Sequence, residues 1–425
     1  MTSQPPRQVW QPRNMHADGR IITRPFAMGF LLTFFMYFAV GAAIPLLPRL
    51  VTNGLGGNRG DIGLLAAAFS LAAVLCRPLL SLVSRRGGRA LAIVGGLLAV
   101  VGYGLMWRVS SLAVLTVSRV LAAIGEALVW TAFSTLSTVM APDHRQAEAI
   151  SLASVALFLG LGFGPLATEG LSRSGHFATA AIVPTASSIA CVVVALCIRR
   201  EWVPPLADTS GRLRAKEIFH PAALLPGLAL GLIVLGWSAW NNYVALRADE
   251  IGMGNAAILF TAYSGISLGI RLVGAKLPDR LGHRRCASGA AVLVTVSLLV
   301  LGWATTAAGL IMGAIVMALG IAFMFPSLSA LALGLMRDPA DRAPLMSSFG
   351  MFFEVGAGVG GFVIAPVARS AGLSQAFSVA AGGPVLGFVL LHVYRHRFPA
   401  EGRGLRTRPR SGRSELMARS SGEGR

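Results

Sequence analysis

Residues 271–284 read Arg271-Leu-Val-Gly-Ala-Lys-Leu-Pro-Asp279-Arg280-Leu-Gly282-His-Arg284, a cluster of charge, Gly and Pro set between two long apolar runs. The pattern has an earlier counterpart in RPLLSLVSRRGGR, where Arg77, Arg86 and Gly88 stand 194 residues before Arg271, Arg280 and Gly282. A second set, Ser151, Gly160, Gly162 and Gly164, returns 196 residues later as Ser347, Gly356, Gly358 and Gly360. Repetition at half the chain length means a duplicated architecture. Outward from these copies, apolar stretches cover 25–47, 61–83, 90–107, 112–140, 148–171, 178–198, 221–244, 255–277, 286–306, 309–334, 345–367 and 372–394. Each approaches or exceeds the roughly 20 residues a helix needs to cross a bilayer. Six spans, an even number, separate the copies, so equivalent helices run the same way and the repeats are parallel. The expected fold is all-α and integral to the membrane, twelve transmembrane helices in two parallel-repeat six-helix bundles.

Composition agrees. Of 425 residues, 54% are hydrophobic and 13% charged, about half the charged share of a soluble domain, roughly 25%. That shortfall excludes an ordinary soluble enzyme, and the 50 Gly suit closely packed membrane helices. Cys76, Cys191, Cys197 and Cys286 lie in or beside apolar runs with no CxxC spacing, so neither a disulfide framework nor a metal centre is expected. No cofactor is called for. The opening residues lack an apolar segment of the signal-peptide kind, so the first span is expected to direct insertion.

Cations set the orientation, because Lys and Arg are retained on the cytoplasmic side. With both termini inside, 28 of the 37 Lys and Arg fall in cytoplasmic segments and six in external loops, Arg49, Arg59, Arg108, Arg173, Arg247 and Arg369. The domains expected are a cytoplasmic tail (1–24), a six-helix bundle (25–198), a linker (199–220), a second bundle (221–394) and a basic disordered tail (395–425) in the inner cell membrane. The net charge of +19 follows from this topology and from a tail suited to an anionic leaflet. It requires no nucleic acid.

The loop after span eight, Arg271 to Arg284, resembles the signature R-P-x-x-G-x-L-x-D-R-x-G-R-R of the major facilitator superfamily, with Asp279, Arg280 and Gly282 at its core. The first copy keeps Arg77, Pro78, Arg86, Gly88 and Arg89 but has Ser81 for Gly and Arg85 for Asp. Arg119-x5-Gly125-Glu126 is similar to that family's R-x-x-x-G-x-G motif, with Ala123 at the first Gly. Gly160-x3-Gly164-Pro165 is similar to the G-x-x-x-G-P motif of its drug:proton antiporters, though Thr168-Glu169-Gly170 departs from the usual ending. The resemblance implies alternating access, gating by the two signature loops, and efflux. It also implies a latch in which Asp279 meets the start of span five near Arg145. Arg85 cannot play that part in the first loop and is expected to pair with Asp338 or Asp341 instead.

No G-x-x-x-x-G-K-[ST] loop is present to use ATP, so pumping would draw on an ion gradient, most simply of protons. The coupling groups are sought among buried acids, since a charge at mid-membrane costs roughly 2.5–3.5 kcal/mol on insertion scales. Glu126 and Glu354 lie deepest, and Glu126 follows Arg119 by two helical turns on one face. Glu169, near the outer end of span five, reads as a solvated rim residue. The aromatic runs of spans one and seven, with Tyr37 and Asn242 as polar members, suit a cavity for an amphipathic small molecule. A monomeric proton-coupled exporter, not an enzyme, is the leading reading. An importer of a sugar or metabolite would want more polar cavity residues, and a receptor or intramembrane enzyme would want a sensor domain or a membrane-edge His/Asp/Glu cluster.

Overall fold

The computed structural model describes residues 23–76, 87–139, 146–199, 220–274, 277–336, 338 and 341–398, without the side chains of 134–154, 279 and 343. Twelve long helices follow in order: α1 (Arg24–Arg49), α2 (Arg59–Leu75), α3 (Gly88–Leu105), α4 (Leu112–Val139), α5 (Gln146–Arg173), α6 (Phe177–Cys197), α7 (Leu224–Glu250), α8 (Ala257–Val273), α9 (His283–Trp303), α10 (Ala307–Gly334), α11 (Arg342–Ser370) and α12 (Leu373–Val393). Ten of the spans are long and apolar enough to cross a membrane, while α2 and α8 have 17 residues each. The expected twelve-helix arrangement is therefore present, α1–α6 and α7–α12 forming the two halves.

Local chemistry fixes the ends. The Asn58 side chain accepts from the Gly60 and Asp61 amides while Asp61 accepts from the Asn58 amide, a reciprocal cap that starts α2. Gly87 and Gly282 precede α3 and α9 with φ of 88° and 93°, a region costly for any side chain. This corrects the repeat alignment. The partner of Gly282 is Gly87, because Gly88 is already the first residue of α3; the offset between copies drifts from 194 to 196 and is 195 here. Arg247 donates to the carbonyls of Leu301, Gly302 and Ala304 at the end of α9, satisfying groups that a helix terminus leaves open.

Glycines set the closest packing. A Cβ on Gly160 would lie 2.6 Å from the Phe38 amide, and one on Gly164 would collide with the Phe38 carbonyl and Ala42 amide, so α5 lies backbone to backbone on α1. Gly356 and Gly360 do the same for α11 on α7. The intervening glycines face the other way: Gly162 meets Ser264 of α8, and Gly358 meets Ser70 of α2. Each ladder thus binds its own half with one side and touches the opposite half with the other. Gly160→Val should cost at least the roughly 1–3 kcal/mol typical of overpacking, because the obstacles are backbone atoms. Gly170→Ala, where a Cβ meets nothing within 4 Å, should be neutral. Thermal unfolding of the two purified variants checks this.

Candidate functional site

The two halves meet through charge at the end bearing the α1–α2, α5–α6 and α7–α8 connections. Arg49 closes α1 at 1% exposure and uses all five N–H donors. Nη1 donates to Glu169 Oε2 at 2.8 Å and Ser172 Oγ at 3.0 Å, and Nη2 to Glu169 Oε1 at 2.9 Å and Asp249 Oδ1 at 2.8 Å. Nε donates to Asp249 Oδ2 at 2.7 Å. Glu169 belongs to α5 and Asp249 to α7, so one guanidinium ties the halves together with two forked carboxylate pairs.

Glu169 is not the solvated rim residue expected of it. It is 4% exposed, balanced by Arg49, and its Oε1 also accepts the Ala256 amide at 3.0 Å, at the N-terminus of α8, where an anion is favoured. Three further ties cross the same end. Arg59 meets Glu250 at 2.6 Å, the Tyr243 hydroxyl donates to the Arg59 carbonyl at 3.1 Å, and Arg173 donates to the carbonyls of Met253 and Gly254. Sequence reasoning treated these arginines as loop charges. The available signal was the recurrence of acids, Glu169, Asp249 and Glu250, at the same end of spans five and seven.

A second cluster lies at mid-height. Counted from the signature-loop end of its own helix, each of Tyr37, Glu126, Phe158, Trp237 and Glu354 is 12 or 13 residues in, roughly 18–20 Å at 1.5 Å per residue. Tyr37 lies beside Glu126, and Glu354 from the opposite half is close enough to interact electrostatically with both. Arg119, two turns from Glu126, lies beside Tyr103 and 4.2 Å over the Phe69 ring, a cation–π arrangement. Tyr37 stands edge-on to Trp130 with ring centres 5.9 Å apart, and Trp130 continues to Phe133. On the other side Trp237 packs on Phe353, next to Glu354, at 5.7 Å.

Tyr37, Arg119, Glu126 and Glu354 are thus brought together. Asn242 is half-buried in α7, and the contacts that gather the others do not include it. Gly160, Gly164 and Pro165 line the α1 contact, where Pro165 touches the space beside Gly41. Arg271 turns inward, its guanidinium 4.8 Å from the Phe158 ring of α5. Arg77, Arg85, Arg86 and Arg145 and the Asp279 side chain lie outside the described residues, and with them the expected latch. Asp341, one proposed partner of Arg85, is 3.4 Å from His220 at the start of the second half.

The family model described as Major Facilitator Superfamily matches residues 29–332 and 228–420. An uncharacterised MFS-type transporter of Burkholderia mallei (strain SAVP1) is 25% identical over 378 residues, covering 86% of this chain and 90% of that protein. Among solved structures, a mutant form of the nucleoside transporter NupG superposes with a TM-score of 0.74 at 14% identity, covering 88% of this chain and 100% of that one. A POT family transporter bound to a thioalcohol-conjugated peptide gives 0.72 at 14% identity over 88% and 96% of the two chains. At such identities these structures establish a common fold.

Proposed function

The chain belongs to the Major Facilitator Superfamily, and from that premise we propose that it is a proton-coupled secondary transporter exporting a small amphipathic molecule by alternating access. One observation carries this reading: Glu126 and Glu354, from opposite halves, share the mid-height layer with Tyr37. Two carboxylates held in one buried layer repel when both are ionised. A proton or a cationic group on the substrate relieves that repulsion and allows the halves to close around it. Because both ligands use the same carboxylates, binding one releases the other, which is exchange. With the cation-rich loops inside, the Arg49 end is external, and its ties hold the two halves together there. The signature loops, with Asp279 and Arg280 in one and Arg85 and Arg86 in the other, gate the inner side.

The direct test is cellular. Cells with and without the protein are exposed to a panel of amphipathic compounds, with and without a protonophore. Expression should lower the accumulation of at least one compound, and the protonophore should remove the difference. Raised accumulation on expression would favour the importer reading, and insensitivity to the protonophore would contradict proton coupling.

A further inference from the structure

Glu126 and Glu354 give the mid-height layer an acidic pole, whereas the face of α8 that meets α5 carries buried donors that form no hydrogen bond among the described residues. Ser264, Ser267 and Arg271 lie at i, i+3 and i+7, one helical face. Ser264 and Ser267 are 3% and 0% exposed, and neither hydroxyl has a hydrogen-bond partner among the described residues. The Arg271 Nε is buried without an acceptor, and no carboxylate of the described residues pairs with its guanidinium, which rests on the Phe158 ring. The Trp237 indole N–H lies beside the Tyr263 hydroxyl and is buried without a well-formed hydrogen bond. Buried polar groups are satisfied in the great majority of cases, and a cation at membrane depth is expensive without a counter-charge.

Phe158 and Trp237 stand at the same height as Glu126 and Glu354, and the Trp237–Phe353 contact places the donor side next to Glu354. The donor side and the acidic side therefore belong to one layer between the halves. We propose that the transported molecule is amphoteric, its cationic group meeting Glu126 and Glu354 and its carboxylate meeting Arg271, with Trp237 and the α8 serines completing the acceptor pole. This rests on the reading that substrate occupies the Glu126–Glu354 layer. It adds a requirement that a purely cationic ligand does not meet: a bidentate acceptor for a guanidinium.

The test uses purified full-length protein and three probes of one size, 4-(aminomethyl)benzoate, benzylamine and benzoate, with affinities read by tryptophan fluorescence and ligand-induced thermal shift. The wild type should bind 4-(aminomethyl)benzoate about tenfold or more tighter than either single-charge probe, the worth of a charge-assisted contact. Arg271→Gln should remove that advantage and leave benzylamine unchanged. The unliganded variant should be as thermally stable as the wild type or more so, since an unmatched buried cation is lost. Trp237→Phe should weaken the amphoteric probe and not benzylamine. Equal binding of the three probes, no binding of the amphoteric one, equal losses for all three in Arg271→Gln, or a marked fall in the unliganded variant's stability would each overturn the proposal. Coupling is read separately through Glu126→Gln: if that variant stays coupled while the Arg271 pattern holds, Glu126 leaves the coupling step and the amphoteric site stands.

Discussion

Arg49→Gln is expected to abolish transport and to lower the thermal stability of the purified protein more than any other single substitution considered. The guanidinium is buried and fully bonded to two carboxylates and a hydroxyl. Removing one partner of a buried pair leaves the other charge uncompensated, at a cost of about 3–5 kcal/mol. The buried orphan would be Glu169, held inside the first half. Asp249, with its side chain 31% exposed, reaches water more easily. Two consequences therefore separate. Asp249→Asn breaks the Arg49–Asp249 tie between halves and keeps the Arg49–Glu169 pair, so it should leave the first half intact and shift the population toward an externally open state. Arg49→Gln should do both. Labelling of Leu246→Cys by an impermeant thiol reagent, in a background without the four natural cysteines, reads the opening. Strong labelling in Asp249→Asn and Arg49→Gln with little in the parent is the expected pattern, and equal protection in all three would show that the network does not close this end.

Glu126→Gln should lose uphill transport while keeping substrate exchange across the membrane. The amide preserves size and the contact with Tyr37 but carries no titrating proton, so substrate binding no longer has to displace one. Glu354→Gln should weaken coupling less, because Glu126 would still titrate beside Tyr37. Counterflow in proteoliposomes, measured with the compound that the cellular panel identifies, separates exchange from pumping. Wild-type uphill accumulation by Glu126→Gln across a pH range would remove this residue from the coupling step.

The spans were legible because each must hold some 20 apolar residues. Hydropathy placed most helices within a turn of their observed ends; α7 runs further, to Glu250, and the described part of α2 stops sooner, at Leu75. Glu126 and Glu354 were legible for the same reason, since an acid within such a run stands out. Gly87 was not. Two repeats that drift by a residue or two cannot say which of two adjacent glycines takes a positive φ, and the backbone alone decides it. Glu169 and Arg49 were misread because a charge near a helix end looks solvated in one dimension, while its burial depends on what the other half brings to that end. Arg271 was read as part of a loop signature, and its reach to Phe158 depends on how α8 lies against α5, a relation between halves that the repeat pattern does not contain.

The most direct measurement of the central claim follows proton movement itself. Proteoliposomes carrying a lumenal pH dye are given a gradient of the identified substrate, and lumenal pH is recorded as substrate runs down. The wild type should move protons against the direction of substrate flow. Glu126→Gln should pass substrate without a pH change. Proton movement in the same direction as substrate, or none in the wild type, would contradict proton-coupled export through the Glu126 layer.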